Sequence, residues 1–371
     1  MLRRSTLFGT LPHTSGAEQV VATDRAIDTF TLVPLAGPET RAVTIATFLS
    51  NLGGGITATN LVGSQLSPDG RRVVLSAGTK GPQGGERLGL VIIDLASGNM
   101  FNLTTDPRYH DDTPAWSPDG LQIAFTRRSV SDGRDAGIWT TAPHAGSAVR
   151  GPFLAPVDVV GRRSVVYQWT PDGWLAISRG NDRYEYYFLP PQSCPVPGVC
   201  AGGNLSDMVG DVQEGRDIAD WRRAAPQFVG VFVESPRGGA QTIEVADAAT
   251  APRRVVVRNA SASALLQRPR WRPGSDEFLY LETQIATGPR ATGLKIADAR
   301  TGAQRDAFAR QDAFWAEWTP AGDEIAWVNA SGVGVGLRLV RPDGSGERAI
   351  YGTGGVPEAH VITVDFGTLR F

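Results

Sequence analysis

Six copies of one short motif, spaced about 50 residues apart, constrain the fold of this chain more than any other feature. The clearest copies are Leu66-Ser-Pro-Asp-Gly70, Trp116-Ser-Pro-Asp-Gly120 and Trp169-Thr-Pro-Asp-Gly173, and three weaker copies follow. We call the first residue of each copy its anchor: Leu66, Trp116, Trp169, Trp221, Trp271 and Trp318. A repeat of this period predicts a series of similar units, each of which buries its apolar surface against its neighbours.

The residues around each anchor predict a unit of four short strands. Proline presets φ at the first corner of the motif and glycine adopts a positive φ at its end, so the motif is a tight hairpin turn. An apolar run such as Ile123-Ala-Phe125 follows as the second strand, and residues 90–94 and 101–104 are typical of a third and a fourth strand. The sequence therefore predicts an all-β protein, a β-propeller with four-stranded antiparallel blades.

The two ends of the chain decide how many blades the sequence predicts. Residues 29–37 and 41–47 are similar to third and fourth strands, whereas residues 361–366 and 369–371 are similar to first and second strands. Joined together, these strands form a seventh blade that hides the sheet edges of an open ring. We therefore expect seven blades, with six as the alternative. They form one domain of residues 28–371, which follows a flexible arm of residues 1–27.

The second copy of the motif resembles a known family of repeats. Residues Pro114-Ala-Trp-Ser-Pro-Asp-Gly-Leu-Gln-Ile-Ala-Phe125 are similar throughout to the TolB-like propeller repeat, a WD40-like group. The resemblance covers residues 28–371 and implies a platform that binds other proteins through the mouth of its central channel. Trp221 and Trp271 depart from the pattern, because no Ser-Pro-Asp-Gly follows them, and this leaves their turn geometry open.

Charge and motif content exclude several classes of function. The chain has 36 Lys and Arg against 38 Asp and Glu, so it has no basic footprint for a nucleic acid. It has no apolar run of about 18 residues, so we expect no membrane-spanning helix. The nucleophile elbow of serine hydrolases, the His-Glu-x-x-His zinc motif and the phosphate-binding loop are missing from the sequence. These observations favour a protein without catalytic chemistry.

Polar residues near the start of the first strands are the candidate site residues, because these strand ends line one mouth of a propeller channel. The candidates are His110, Asp111, Asp112, Asp217, Asp312 and His360. One hypothesis is a metal site with His110, His360, Asp312 and Asp112 as ligands. The alternatives are a polar rim satisfied by water, or a generic ligand or peptide site. Asp111 and Asp112 also suit hydrogen bonds to backbone amides at a strand entry.

The tryptophans fall into two groups. Five of the six anchors are tryptophans at the same point of the repeat, which predicts packing between adjacent blades. Trp174 and Trp315 lie off that position and are better placed for exposure. Trp315, together with Phe314, is the candidate for an apolar patch that contacts a partner at the channel mouth.

Both cysteines, Cys194 and Cys200, lie in a proline-rich insert between the third and fourth strands of one blade. The loop between them is short enough to close, and no further metal ligands stand at a fixed spacing, so we expect a disulfide, with a reduced pair as the alternative. A disulfide implies an oxidising compartment. The predicted location is therefore periplasmic or secreted, although no signal sequence is visible.

Taken together, these features predict a monomeric, extracytoplasmic propeller that binds a protein or peptide partner at its channel mouth. We expect no cofactor, no nucleic-acid partner and no membrane span. The alternative is a metal-dependent sugar lyase or another propeller enzyme, since the resemblance extends to such enzymes. That version needs a divalent ion at the mouth, with His110, His360 and Asp312 as its ligands.

Overall fold

The computed structural model describes the chain in segments. These are residues 19–23, 29–34, 41–44, 57–69, 71–80, 86–94, 97, 99–154, 163–170, 173–180, 184–189, 203–204, 219–222, 227–233, 240–248, 251–259, 264–284, 292–308, 313–319, 321–329 and 337–351. Within these segments the chain forms strands β1 to β27 and no helix, so none of them offers a helix able to span a membrane. The predicted all-β class is confirmed.

Sheet A is built from the first three strands. They are β1 (Gln19–Thr23), β2 (Thr29–Pro34) and β3 (Arg41–Thr44), antiparallel and in chain order. The last two coincide with the strands that the sequence predicts. β1 lies inside residues 1–27, where we expected a flexible arm, and pairs with β2 from Gln19↔Pro34 to Thr23↔Phe30. β1 thus adds a strand to β2 within this range, and the division of the chain into an arm and a domain stays a prediction.

Sheets B, C and D are four-stranded and antiparallel, with neighbours in chain order. Sheet B consists of β4 (Thr57–Leu66), β5 (Arg72–Lys80), β6 (Glu86–Asp94) and β7 (Met100–Asn102). Sheet C consists of β8 (Tyr109–Trp116), β9 (Ile123–Ser129), β10 (Asp135–Thr141) and β11 (Arg150–Leu154). Sheet D consists of β12 (Arg163–Trp169), β13 (Leu175–Gly180), β14 (Tyr184–Leu189) and β15 (Gly203–Asn204). Sheets A to D belong to one compact unit.

Sheets E, F and G have the same order and belong to a second compact unit. Sheet E consists of β16 (Ala219–Trp221), β17 (Phe228–Val233), β18 (Gln241–Ala246) and β19 (Arg254–Arg258). Sheet F consists of β20 (Ala264–Trp271), β21 (Glu277–Gln284), β22 (Thr292–Asp298) and β23 (Gln304–Phe308). Sheet G consists of β24 (Ala313–Trp318), β25 (Ile325–Asn329), β26 (Leu337–Val340) and β27 (Arg348–Tyr351). In sheets B to G the first strand ends at an anchor.

The turn after the anchor closes in the same way in five sheets. The N–H one residue after the anchor donates to the carbonyl six residues after it, over 2.7 to 2.9 Å. The pairs are Ser67–Arg72, Ser117–Gln122, Arg222–Gln227, Arg272–Glu277 and Thr319–Glu324. The departures after Trp221 and Trp271 therefore leave the closing bond intact. Ser-Pro-Asp-Gly adds side-chain bonds to it, such as that from the Ser117 hydroxyl to Asp119 Oδ1 at 2.5 Å.

The tryptophan anchors pack between neighbouring sheets of the same unit, as the sequence predicts. Trp116, Trp271 and Trp318 have 3, 5 and 1% of their surface exposed. In two of them the indole N–H donates to the carbonyl of the residue before the preceding anchor, from Trp116 to Gln65 at 3.1 Å and from Trp318 to Arg270 at 3.2 Å. Apolar clusters fill the B–C, C–D, E–F and F–G seams, so the sheets that meet at these four seams bury apolar side chains against each other.

A β-bulge interrupts the first strand of sheet C. β8 pairs with β9 as Trp116↔Ile123 near the turn but as Asp112↔Thr126 further along, so one residue of β8 is extra. Thr113 lies at this point with a φ of 46°, in the left-handed region. Because a one-residue slip turns each following side chain to the other face, the bulge decides which residues beyond it share a face.

The blade number stays a prediction. The strands expected at residues 361–366 and 369–371, which would complete the closing blade, lie outside the described residues. The same holds for Asp217, Asp312, His360, Cys194 and Cys200. Trp315 lies in β24 opposite Val328, and its side chain lies outside the description.

Candidate functional site

Three predicted site residues lie together at one end of sheet C. We call this end, where β8 begins at Tyr109 and β9 ends at Ser129, the mouth end of sheet C. It carries His110, Asp111 and Asp112 on consecutive positions of β8. Each of the three side chains contacts a different neighbour. These contacts decide whether the side chains are available for binding or catalysis.

Asp111 forms a buried ion pair that the sequence did not predict. Its two carboxylate oxygens accept hydrogen bonds from Nε and Nη2 of Arg127 at 2.7 and 3.0 Å, and the side chains are 0 and 4% exposed. Its carbonyl accepts a bond from the Ser76 hydroxyl of sheet B at 2.7 Å. A bidentate pair of this kind holds both charges in place, since either one alone is costly to bury. Asp111 is therefore part of the fold and holds sheets B and C together.

Aromatic rings surround the guanidinium of Arg127. It lies 4.8 Å from the ring centre of Tyr109, 4.9 Å from that of Trp139 and 5.4 Å from that of Phe125. Rings at this distance attract a cation through their quadrupole. Arg127 could have been found from the sequence as the residue of β9 that faces the site. However, regular antiparallel pairing counted from the turn would place Arg127 opposite Asp112. The bulge at Thr113 moves Asp111 into that place instead.

Asp112 plays the part that the sequence suggested for both aspartates. Its Oδ1 accepts a hydrogen bond from the Thr113 backbone N–H at 2.6 Å. The Thr113 hydroxyl in turn lies 2.7 Å from the Thr126 hydroxyl. This bond supports Thr113 in its left-handed conformation, so Asp112 stabilises the bulge.

A backbone hydrogen bond fixes one ring nitrogen of His110. Its Nδ1 lies 3.1 Å from the backbone nitrogen of Leu88 on β6 and accepts the N–H bond. In a neutral imidazole whose Nδ1 is an acceptor, Nε2 carries the proton. A metal-bound histidine needs the opposite arrangement, with a lone pair for the ion and the other nitrogen donating to the protein. In this conformation neither nitrogen of His110 offers a lone pair to an ion.

The described residues contain no group of three or more His, Cys, Asp or Glu side chains that are placed to hold a metal ion. The other ligands of the metal hypothesis, Asp312 and His360, lie outside the described residues. The hydrogen bond accepted by His110 Nδ1 does not support the metal-site hypothesis.

Arg87 ties the connection before β8 to sheet B. Its Nη1 donates to the carbonyl of Asp106 at 2.5 Å and its Nη2 to that of Thr104 at 2.8 Å. Burial lowers the pKa of the Arg87 guanidinium, while the charges of Asp111 and Asp106 act in the opposite direction. The segment that leads into β8 is therefore held by a cation on β6.

The rim of the mouth end is exposed. The Arg108 side chain is 76% exposed and lies over the Tyr109 ring at 5.4 Å. It bonds Asp106 Oδ2 at 2.7 Å, and this hydrogen bond lowers the pKa of the Asp106 carboxyl to about 2. Val130, 40% exposed, donates its N–H to the Arg108 carbonyl at 2.8 Å. The rim thus presents a cation, an aromatic ring and an aliphatic side chain within one short stretch.

Comparison with solved structures identifies the fold. The chain is similar to a prolyl endopeptidase, one of two studied for inter-domain dynamics, with 13% identity and a TM-score of 0.60. That match covers 93% of this chain and 49% of the peptidase, so this chain spans about half its length. The β-propeller domain of the Trilobed protease from Pyrococcus furiosus matches with 12% identity and a TM-score of 0.52, over 80% of this chain and 83% of that one.

TolB from Acinetobacter baumannii also matches, with 11% identity over 94% of this chain and 66% of TolB, at a lower TM-score of 0.46. No family model matches the chain, and no curated protein matches it. At these identities a structural likeness shows the fold alone. The predicted β-propeller fold is thereby confirmed, and membership of the TolB-like repeat family stays a prediction.

Proposed function

We propose that this protein is a non-catalytic β-propeller that binds a protein or peptide partner at its channel mouth, with the mouth end of sheet C as part of the binding surface. The observation that carries the proposal is that the polar side chains at this end already make structural hydrogen bonds or ion pairs within the protein. Asp111 is paired with Arg127, Asp112 holds Thr113, and His110 Nδ1 accepts from Leu88. Groups committed to the fold in this way are poor candidates for proton transfer or metal binding.

The rim residues supply what a partner contacts. Arg108 and Val130 project from a segment that the Arg87 bonds and the Asp111–Arg127 pair hold rigidly. Rigid presentation lowers the entropy that binding costs, and an arginine beside an aromatic ring is a frequent hot spot of interfaces. Trp315 remains a further candidate for this surface on the sequence evidence.

The test uses peptides selected for binding to the folded chain from a random displayed library. The affinities of the selected peptides are then measured by calorimetry for the native chain, for the variant Arg108→Glu/Val130→Asp and for Leu121→Arg, which changes the opposite end of sheet C. We expect the selected peptides to bind the rim variant with an affinity at least about tenfold lower than that for the native chain. Leu121→Arg should bind the same peptides with unchanged affinity.

Two results would contradict the proposal. One is unchanged affinity of every selected peptide for Arg108→Glu/Val130→Asp. The other is a stoichiometric divalent ion in protein purified without chelator that disappears in His110→Ala, since this would favour the enzyme hypothesis.

The proposal includes an extracytoplasmic location and a monomeric state. The location rests on the expected disulfide between Cys194 and Cys200, because such a bond persists in oxidising compartments. Alkylation of the denatured chain before reduction is expected to leave both cysteines unmodified, and two modified thiols would count against this location.

A further inference from the structure

Sheet A differs from the other sheets in its number of strands. Among the described residues it has three, β1 to β3, whereas sheets B to G each have four. Each strand position of the other sheets begins at a characteristic distance along the chain before the next anchor. This distance shows which strand sheet A lacks.

β2 has the spacing of a third strand. In sheets B to F the third strand begins 26 to 37 residues before the next anchor, and the second strand begins 41 to 46 residues before it. β2 begins at Thr29, which lies 37 residues before Leu66. Since β1 and β3 pair with opposite edges of β2, β1 occupies the second position and β3 the fourth. Sheet A therefore lacks its first strand.

β1 does not itself fit the first position. It ends at Thr23, which lies 43 residues before Leu66, whereas successive anchors lie 47 to 53 residues apart. Each first strand of sheets B to G also ends in a leucine or a tryptophan, and β1 ends in a threonine. The spacing and the end residue both place β1 beside a missing strand.

The edge of β1 lacks the usual protection of an exposed edge. Edge strands that face water tend to be very short or to carry charges, because a bare edge pairs with other chains. The fourth strands follow this rule: β7 and β15 have three and two residues, and β3, β11, β19, β23 and β27 each contain a charged residue. β1 has five residues, Gln-Val-Val-Ala-Thr, with no charge and no proline. Its edge is therefore built to be paired.

We propose that residues 361–366, Val-Ile-Thr-Val-Asp-Phe, are the missing first strand and pair with β1. Phe366 lies 48 residues after Trp318, within the range of anchor spacings, and takes the place of the anchor. First strands begin 5 to 15 residues after the end of the preceding fourth strand. Val361 lies ten residues after Tyr351, where β27 ends. Sheet A then takes three strands from the N-terminal region and one from the C-terminal region.

This arrangement differs from the equal division that the sequence pattern suggests, in which residues 369–371 supply a second strand. Second strands begin six or seven residues after their anchors, whereas Leu369 follows Phe366 by three residues. The second position, beside β2, is also already held by β1. Residues 369–371 are therefore not part of sheet A in this arrangement.

The other sheets predict the register between β1 and the proposed strand. In sheets B, C and F the residue four positions before the anchor pairs with the residue ten positions after it. The pairs are Val62–Ser76, Asp112–Thr126 and Gln267–Leu281. Because β1 begins at the position six or seven residues after the anchor, the same rule sets Ile362 opposite Ala22 or Thr23.

The first experiment joins these positions by a disulfide in the full chain. The variants Ala22→Cys/Ile362→Cys and Thr23→Cys/Ile362→Cys are oxidised, and the products are identified by peptide mapping with mass spectrometry. Opposed Cα atoms of antiparallel strands lie about 4.5–5.5 Å apart, which a disulfide can span. The matched control is Phe30→Cys/Ile362→Cys, since Phe30 lies opposite Thr23 on β2 and is one strand further away.

We expect an intramolecular disulfide in most of the protein for at least one of the two β1 variants, and little in the control. Absence of the bond in both β1 variants overturns the proposal, as does equal bond formation in the control. A bond that joins two chains instead, seen as a covalent dimer, assigns the edge of β1 to a second copy and also overturns the proposal.

A second measurement decides if the cysteine variants do not fold. In sheets B, C, E, F and G the N–H one residue after the anchor donates to the carbonyl before or at the start of the second strand. By the alternation of antiparallel pairs, the residue before the anchor is the next donor to that strand. Asp365→Pro therefore removes a hydrogen bond to β1, whereas Val364→Pro does not. The position of Val364 holds proline in sheets C and F, as Pro114 and Pro269.

Amide hydrogen exchange of β1 is compared in the native chain and in the two proline variants. We expect exchange in β1 to be at least about tenfold faster in Asp365→Pro, since paired strands open less often than bare edges, and unchanged in Val364→Pro. Unchanged exchange in Asp365→Pro, or an equal increase in Val364→Pro, overturns the proposal.

Discussion

At the residue scale, the mouth end of sheet C depends on one buried ion pair. Asp111 and Arg127 face each other across β8 and β9, and three aromatic rings enclose the guanidinium. Such a pair contributes little net stability compared with apolar residues of the same size, but the loss of one partner leaves a buried charge. The pair therefore acts mainly to hold β8 in its shifted register.

The variant Arg127→Met tests this role. We expect it to lower the free energy of unfolding by about 3–5 kcal/mol, because the Asp111 carboxylate stays buried without its partner. Urea unfolding followed by circular dichroism measures the loss. The double variant Asp111→Leu/Arg127→Met should recover much of it, and a double variant as unstable as the single one would show that the rings, and not the charge, require Arg127.

At the element scale, the seams between sheets share one design with some variations. The indole N–H of Trp116 and that of Trp318 donate to the carbonyl before the preceding anchor, whereas the buried Nε1 of Trp271 has no hydrogen-bond partner among the described residues. An arginine covers the ring at the B–C, E–F and F–G seams. At the C–D seam Trp169 keeps its bond, to the Ala115 carbonyl at 3.1 Å, but sheet C has Gln122 where sheet B has Arg72.

Gln122→Arg supplies the missing cation. We expect the free energy of unfolding to rise by about 0.5–1 kcal/mol, the usual strength of a cation on an exposed indole. Thermal unfolding measures the gain, and weaker acrylamide quenching of tryptophan fluorescence reports the covered ring. Gln122→Glu serves as the matched control and should give no gain. Equal stability of the two variants would mean that the arginines of the other seams act through their hydrogen bonds alone.

At the scale of the whole molecule, the open question is whether the two ends of the chain together form a closing blade. Sheet A contains three strands in the described part of the chain, whereas sheets B to G contain four. The sequence pattern predicts strands at residues 361–366 and 369–371, so we expect a closing blade with strands from both termini. Closure of this kind protects edge backbone groups that otherwise pair with other chains.

Removal of residues 361–371 tests the closure. We expect a lower melting temperature and a rise in aggregation, since an edge of sheet A then lacks its partner. Scanning calorimetry and light scattering measure the two effects. A chain without residues 1–12, which precede β1, is the control and should melt as the native chain does. An unchanged transition after the C-terminal removal would favour six blades.

Much of the fold follows from the sequence because its signals are local. The anchor, the proline and the glycine of each copy act within a few residues, so they set the turn and the end of each first strand. Even at Trp271, where the motif is degraded, the closing bond from Arg272 to Glu277 forms. The spacing of the copies then determines the four-stranded sheets and the packing of the tryptophan anchors between them.

The contacts of the candidate site residues could not be predicted from the sequence, because register and the neighbouring sheet decide them. The bulge at Thr113, with its left-handed backbone, shifts the partners of Asp111 and Asp112 on β9 by one residue, and the local sequence pattern does not predict this shift. The hydrogen bond that His110 Nδ1 accepts comes from the Leu88 N–H of the neighbouring sheet. The sequence by itself determined the repeat, the turns and the class of fold. The tertiary structure decided register, pairing and exposure, since these depend on residues that are distant along the chain and meet only at the seams.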